Sequence, residues 1–546
     1  MIICGVKLTH DGGVALIDDG RLVFSIEMEK LANNPRHQRI DDLEIVSRLL
    51  VEYGYRLADV DRFVVDGWRK THKVKPWGGQ ETLIDLAPYR RGLVDDNLLR
   101  PYVSRMLDLE YTSYPHYAGH VASAYCSSPF ARAAEPSYVL CWDGAMFPFL
   151  YHYDPSTQVM ESLGAVHHML GDTYHTLAMA CPPFDAPLQW PHTLALPGKI
   201  MAYIAHGTAD EGVVESLQVL LREAEREVFG TDQPDDDLLT EAAGRRILAR
   251  MKEELDCTGA RPADVLASIH TFLGRALVDG LKEKIAADGR GTRNLCLVGG
   301  CALNIKWNSD IRASGIADTV WVPPFPNDAG SALGAACCEL LRSPGPVHLE
   351  WDTYAGPALV PSEPMPGWAV RPCSAAELAG RLHESGDPVV VLHGRAELGP
   401  RALGHRSILA PASDPGMKDR LNDVKGRERY RPVAPICLEA RAPEVFTPGV
   451  PDPYMLFEHE VRPDWQNRVP AVVHLDGTAR VQTVGPRDDP FVFEVLTEYE
   501  RLSGIPLLCN TSANLNGSGF FPDVRSAMRW GRVPAVWSDG MLYERA

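Results

Sequence analysis

His116 and His120, in the stretch PHYAGHVASAY, stand four residues apart, a spacing that puts both imidazoles on one face of a helix. Such a pair can ligate a metal or serve as two ordinary core histidines, and the spacing leaves both open. The stretch lacks the glutamate of the H-E-x-x-H pattern, so it gives no support to zinc-dependent proteolysis. Two carboxylates add weight to ligation: Asp143, on an Asp-Gly turn after an apolar strand, and Asp328, which opens a helix after a Pro-Pro loop. Asp143 can equally be a turn residue and Asp328 an N-cap. Two imidazoles and two carboxylates together form a borderline-to-hard donor set that suits iron, zinc or manganese.

A second constellation is cationic. Between Arg395 and Arg431, nine Lys or Arg stand against five Asp or Glu, inside a chain of formal net charge −18. Lys418, Arg420, Arg427 and Arg429 read as solvated helix surface. Arg401 and Arg406 lie beside glycines in LGPRALGHRS, just after a buried strand, where guanidinium forks suit phosphate oxygens. Lys425 and Arg431 flank that region, and Arg480 and Asn510 fall on or after later strands. Interdomain salt bridges are the structural alternative. His10, in LTHDGG, can cap a turn or act as a general base. Lys199, in LPGKIMAYIAHG, stands at a helix start, a usual place for an anion contact.

The elements that must hold these groups begin with IICGVK, GGVALIDDG and RLVFSIEME, a hairpin plus a third extended run. A similar strand with an Asp-Gly turn recurs at 138–154, which suggests an internally duplicated α/β domain. Helical periodicity covers 199–206, 213–228, 239–255, 262–287 and 523–531. NLCLVGGCALN at 294–304 reads as a strand entering a Gly-Gly turn and a helix. The Pro-rich segment 346–372 reads as a linker between domains 1–345 and 373–546. The length of 546 residues requires more than one core. Hydrophobic and charged contents of 45% and 23% are those of a soluble protein, and no run of about 18 apolar residues indicates a membrane span. Twelve cysteines without C-x-x-C pairs, and no export signal at the start, lead to the expectation of a reducing cytoplasm. The net charge of −18 argues against nucleic acid as a partner and leaves a small-molecule enzyme.

Two Asp-Gly strand turns followed by a strand–Gly-Gly–helix unit resemble the actin-like ATPase architecture. The blocks THDGGVALIDDGRL, HYAGHVASAY, ALPGKIMAYIAHG, LVGGCALN, VPPFPNDAGSALGAA, GRAELGPRALGHRSIL, KGRERYRPVAP and CNTSAN resemble the antibiotic O-carbamoyltransferases, whose relatives include the tobramycin, cephem and nodulation carbamoyltransferases. The resemblance covers nearly the whole chain. It implies an α/β protein with a duplicated actin-like (ASKHA, Kae1-like) N-terminal domain and a YrdC-like α/β C-terminal domain. It implies an iron site, or one for a similar divalent metal, at His116, His120, Asp143 and Asp328. Nucleotide or adenylate contacts are implied at Gly144, Gly171, Lys199, Gly299, Gly300 and Asn304. Carbamoyl phosphate contacts are implied at Arg401, Lys425, Arg431, Arg480 and Asn510, with Arg406 as a sixth. His10 is implied as the base. The reaction implied consumes carbamoyl phosphate and ATP with Mg2+, and carbamoylates a hydroxyl, on a sugar by family habit, of an antibiotic or natural-product intermediate. Arg36 and His37 fall where relatives carry a basic acceptor-side segment. The run DGAMFPF departs from the family, which often has further Gly and Glu there. The alternatives are an actin-like small-molecule kinase and a nucleotide-gated binding protein, and the oligomeric expectation is a monomer or homodimer.

Overall fold

The apolar run that opens the chain becomes the central strand of a six-stranded sheet. In it β1 (Ile2–Lys7) pairs antiparallel with β2 (Gly13–Asp18) and parallel with β4 (Arg62–Asp66). Beyond β2 lies β3 (Arg21–Glu27). After a separate hairpin of β5 (Thr71–Val74) and β6 (Thr82–Asp85), strands β7 (Tyr102–Met106) and β8 (Leu109–Tyr114) complete the order β3-β2-β1-β4-β8-β7. A second sheet is built from β9 (Ser137–Cys141), β10 (Phe149–Asp154), β11 (Val159–Ala165), β12 (Asn294–Val298) and β13 (Thr319–Trp321), in the order β11-β10-β9-β12-β13. Here too a three-strand run is followed by strands added parallel beside its first member. The repeat expected from the two Asp-Gly turns is therefore visible as a shared strand order.

This computed structural model describes residues 1–90, 98–186, 188, 190–229, 237–256 and 259–545. They divide into unit 1, Met1–Ser25 with Arg39–Trp351, and unit 2, Ile26–Gln38 with Asp352–Ala546. The helical periodicities of unit 1 are realised as Glu211–Phe229, Asp237–Asp256 and Pro262–Asp288.

Two helices fill the space between the sheets of unit 1. Ser331–Arg342 lies on β1, β2 and β4, while His116–Cys126 lies on β9 and β12. The second helix is buried throughout and the first as far as Leu341, so they meet through small side chains. At their contact a Cβ on Gly334 would fall 2.3 Å from the Gly119 carbonyl oxygen. The strand side is equally tight, since a Cβ on Gly5 would fall 2.1 Å from the Ala332 carbonyl oxygen.

Unit 2 is built on an eight-stranded sheet with spatial order Trp368–Pro372, Met541–Arg545, Ala535–Ser538, Val389–Leu392, Arg406–Ala410, Leu507–Ser512, Ala434–Leu438 and Gln482–Val484. Its core gathers Val389, Val391, Leu409, Leu507 and Val536 under helices Ala375–Ser385 and Pro490–Ser503. The first of these carries a reciprocal Ser374–Glu377 cap and ends on Gly386 in the left-handed region. The segment expected as a linker, 346–372, is ordered. Leu349 and Glu350 hydrogen-bond back into unit 1, residues from Asp352 belong to unit 2, and Trp368–Pro372 is an edge strand. Residues 26–38 also depart from the expected division, because they belong to unit 2. Buried Lys30 donates to the carbonyls of Glu397 and Gly399, and the Gly519 amide donates to Asn34.

The helix contact makes an opposite-sign prediction for two glycines. Alanine has the higher helix propensity by about 1 kcal/mol, but at Gly334 the obstacle is backbone, which cannot swing aside. Gly334→Ala is expected to cost about 1–3 kcal/mol net. Gly380→Ala, on a helix where a Cβ meets nothing within 4 Å, is expected to gain about 0.4–1 kcal/mol. Urea unfolding of the two variants measures both signs.

Candidate functional site

Charged residues of unit 1 come off the carboxyl ends of its strands, the edge where open α/β sheets present their ligands. Lys7 ends β1 and Asp66 ends β4. His116 follows β8 by two residues, and Asp143 follows β9 by two. Asp328 opens the turn that leads into helix Ser331–Arg342. The Nε2 atoms of His116 and His120 are 3.2 Å apart, and Asp328 Oδ1 lies 3.3 and 3.4 Å from them. Asp143 Oδ2 is 4.0 Å from His116 Nε2, and all four groups offer ligand atoms within 4.8 Å of one another.

The surroundings orient these donors. His116 Nδ1 is 2.8 Å from Asp66 Oδ2, which leaves Nε2 toward the other three groups. Burial opposes charge on the His116 ring, but Asp66 and Asp328 outweigh it and raise its pKa to about 9. Burial likewise works to raise Asp328, yet Lys7 and the two histidines hold its carboxyl well below the usual range. Asp143 accepts from the Gly300 amide at 2.7 Å on Oδ1 and from the Tyr89 hydroxyl on Oδ2. The set fits a divalent first-row ion: two imidazole nitrogens with defined direction, two carboxylates, and spacings compatible with bonds of about 2.0–2.2 Å.

His10 stands at the same site. Its Nδ1 lies 3.2 Å from Asp328 Oδ2 and 3.6 Å from Asp11 Oδ2. The ring is packed between Trp68, at 4.8 Å, and the exposed Trp190, at 5.4 Å. Burial lowers its pKa, Asp328 opposing, so the neutral, proton-accepting form dominates at neutral pH.

Unit 2 concentrates positive charge with little counter-charge, Glu428 lying 3.9 Å from Arg431. Arg401, Arg427, Arg431 and Arg480 are half-buried and depress one another: burial and then Arg431 lower Arg401 to about 10, and burial and then Arg431 lower Arg427 to about 9. Arg480 is held well below its ordinary value by burial and by Arg401 and Arg431, with only Asp452 opposing. No hydrogen bond or ion pair joins Arg401 or Arg480 to any described residue, and the Nε of each is buried and unmatched. Asn510 donates to Ala402 O at 3.0 Å and Gln482 Oε1 at 2.9 Å, and Gln482 Nε2 is itself fixed on Leu403 O. That chain sets the amide direction and leaves Asn510 Oδ1 buried with no donor.

Comparison with known proteins decides the family. The family described as Carbamoyltransferase N-terminus matches residues 2–337, and that described as Carbamoyltransferase C-terminus matches residues 380–534. The chain belongs to the carbamoyltransferase family. It is 49% identical to nodulation protein U of Rhizobium tropici, over 100% of this chain and 96% of that protein. It is 32% identical to the 3'-hydroxymethylcephem-O-carbamoyltransferase of Amycolatopsis lactamdurans, over 95% of this chain and 94% of that protein. Among solved structures it is similar to an activator of a 2-hydroxyisocaproyl-CoA dehydratase from Clostridium difficile, at 13% identity and a TM-score of 0.32, over 63% of this chain and 96% of that one. A likeness that distant carries no argument.

Several expected site residues of this carbamoyltransferase have other tasks. Arg406 is not free to bind an anion: Nη1 donates to the carbonyls of His393 and His405, and Nη2 to those of Pro357 and Gly394. Lys425 also departs from expectation, because its three ammonium hydrogens are met by Ser512 O, Asn514 O and Asn514 Oδ1. Asn304 spends its Oδ1 capping helix Ile305–Ala313 through the Lys306 and Trp307 amides. Gly171 and Gly299 are required by chain approach, since a Cβ on either would sit 2.3 Å from the carbonyl oxygen of Asp143 or Trp142. Both glycines thereby hold the end of β9. Gly144 faces open space, and Lys199 is the fourth residue of helix Leu196–Tyr203 rather than its first. Arg36 belongs to unit 2, and its charge depresses Arg401, Lys425, Arg427 and Arg431. The amide of His37 donates to Glu29. Arg427, read from sequence as solvated surface, joins the cluster, with Nε on Asn422 Oδ1 and Nη2 on Thr511 Oγ1.

Sequence reasoning missed Lys7, Asp66 and Tyr89. The signal for the first two was a charged residue closing a buried strand, as in IICGVK and RFVVD.

Opposite effects on stability are expected from the two kinds of arginine. Arg480→Met removes a half-buried cation that no described residue hydrogen-bonds and should raise the unfolding free energy by about 0.5–2 kcal/mol. Arg406→Met takes the guanidinium from four carbonyls, of which those of His405 and Pro357 keep a backbone donor, and should cost on the order of 3 kcal/mol. Urea denaturation separates the two.

Proposed function

We propose that this enzyme activates the carbamoyl group of carbamoyl phosphate with ATP, as carbamoyl-adenylate, and transfers it to a hydroxyl of a small-molecule acceptor. The observation that carries this is the guanidinium cluster of unit 2, a half-buried group of cations with less counter-charge than charge. Glu428 lies 3.9 Å from Arg431 and Asp452 opposes the depression of Arg401 and Arg480, but no ion pair meets Arg401 or Arg480 among the described residues. A phosphate dianion supplies that charge through bidentate contacts. The unmatched Asn510 Oδ1 adds an acceptor for an amide N–H, which carbamoyl phosphate has and inorganic phosphate lacks. Unit 2 is taken as the YrdC-like domain and unit 1 as the actin-like, Kae1-like domain, with Mg2+ accompanying ATP. Activation consumes one water and releases phosphate and pyrophosphate.

In unit 1, His116, His120, Asp143 and Asp328 would hold iron or a similar divalent ion. Bound there, the ion supplies a Lewis acid for the phosphate and carbonyl oxygens of the adenylate. The chain's own residues do the rest. His10, neutral and flanked by Trp68 and Trp190, takes the proton of the acceptor hydroxyl as its oxygen bonds to the carbamoyl carbon, and AMP departs. The acceptor class is a hydroxyl on a sugar or comparable natural-product intermediate. The hydroxymethyl group in the name of the cephem relative supports an alcohol of this kind.

Incubation of the full chain with carbamoyl phosphate, ATP, Mg2+ and a panel of hydroxylated acceptors tests the reaction. AMP should appear in step with carbamoylated acceptor, whereas ADP formed without carbamoyl phosphate contradicts the proposal and favours a kinase. His10→Ala should cut transfer by about 10²–10⁴ while carbamoyl phosphate-dependent exchange of pyrophosphate into ATP persists; loss of both contradicts the base assignment. Arg431→Ala should weaken the use of carbamoyl phosphate without changing metal content, and an unchanged dependence on carbamoyl phosphate rejects that contact.

A further inference from the structure

Two charged residues of unit 1 have no part in the steps above, and both are out of water. Lys7 is 0% exposed and Asp66 is 4% exposed. Lys7 Nζ lies 3.1 Å from Asp66 Oδ2 and 3.1 Å from Asp328 Oδ2. Asp66 Oδ2 is also the partner of His116 Nδ1 at 2.8 Å. Trp68 covers the group, with Lys7 Nζ 4.8 Å from its ring centre and the His116 ring 5.1 Å away at a steep angle.

Stability alone does not explain this arrangement. Removing an ammonium and a carboxylate from water costs several kcal/mol per ion, and an apolar pair of similar volume is often as stable or more so. Strand ends such as these could close on leucine and valine. What the pair does provide is direction. An imidazole hydrogen-bonded through Nδ1 to a carboxylate is fixed in the tautomer that leaves Nε2 bare, and its ring cannot rotate. Lys7 meanwhile engages Asp328 on Oδ2, and Oδ1 is the oxygen turned toward His116 and His120.

We infer that Asp66 and Lys7 are positioning residues of the metal centre. Asp66 holds His116 in its ligating tautomer, and Lys7 ties Asp66 to Asp328 so that each carboxylate presents one chosen oxygen. The inference rests on the metal site proposed above and adds to it two residues that touch no substrate.

The test uses Co2+ as the probe and the intact chain, with affinity read by competition against a chelator and the visible absorption of bound Co2+ as a second readout. His120→Ala examines the site itself: the parent should bind one Co2+, and His120→Ala should lose it. Given that, Asp66→Asn is expected to bind Co2+ about 10–100-fold more weakly, with an altered absorption band, both read below its unfolding midpoint, which falls because Lys7 loses its buried partner. Asp66→Glu, which keeps the charge but displaces the oxygen, should also bind more weakly, and it serves if Asp66→Asn does not fold. Nitrogen-15 shifts of His116 in the metal-free parent should report a protonated Nδ1. Parental Co2+ affinity in both Asp66 variants, or a His116 protonated on Nε2 with Nδ1 bare, overturns the inference while leaving the metal site intact. A parent that binds no Co2+, or a His120→Ala that binds it normally, overturns the metal site and the inference with it.

Discussion

Two buried helices of unit 1 touch backbone to backbone, and the chemistry of that unit depends on how little room lies between them. Gly119 and Gly334 leave no side chain at the crossing, so helix His116–Cys126 approaches helix Ser331–Arg342 more closely than ordinary side chains allow. One helix begins with His116 and carries His120 a turn later; the other is entered through Asp328. Closing the helices is what brings imidazole and carboxylate to about 3.3 Å. The strands on either side add Lys7, Asp66 and Asp143 from their carboxyl ends, and Gly5 keeps β1 close enough to the second helix for Lys7 to reach Asp328.

The two units handle charge in opposite ways. In unit 1 the buried charges Lys7, Asp66 and Asp328 have neighbours of opposite sign, and Asp328 is shared, one oxygen toward Lys7 and His10 and the other toward the histidines. Unit 2 has the reverse condition around Arg401 and Arg480, where repulsion and burial act together, only Asp452 opposes them, and no described residue hydrogen-bonds either guanidinium. Unanswered charge destabilises the free protein and favours an anion that completes it. For the anion proposed above this repulsion would act as preorganisation, because Arg401 and Arg480 have no internal ion pair to break.

Much of unit 1 was legible in the sequence, for a physical reason. The i, i+4 spacing of His116 and His120 and the strand-end position of Asp143 are set by local periodicity, which survives into three dimensions. Lys7 and Asp66 were not legible, because a charge at the end of an apolar strand ordinarily marks where the strand meets water. In unit 2 the composition showed that positive charge gathers but could not sort it. Arg406 and Lys425 are saturated by carbonyl and amide oxygens brought from distant strands and loops, and Arg427 turns inward from what reads as helix surface. The segment 26–38 was misplaced because sequence proximity to β3 says nothing about the carbonyls of Glu397 and Gly399 that hold Lys30.

X-ray absorption at the metal edge, on the purified full chain with metal content measured on the same sample, addresses the closed-helix site most directly. One first-row ion per chain, with imidazole scattering that disappears in His116→Ala, is the expected result. A chain that carries no ion, or an ion whose shell contains no imidazole, would contradict it.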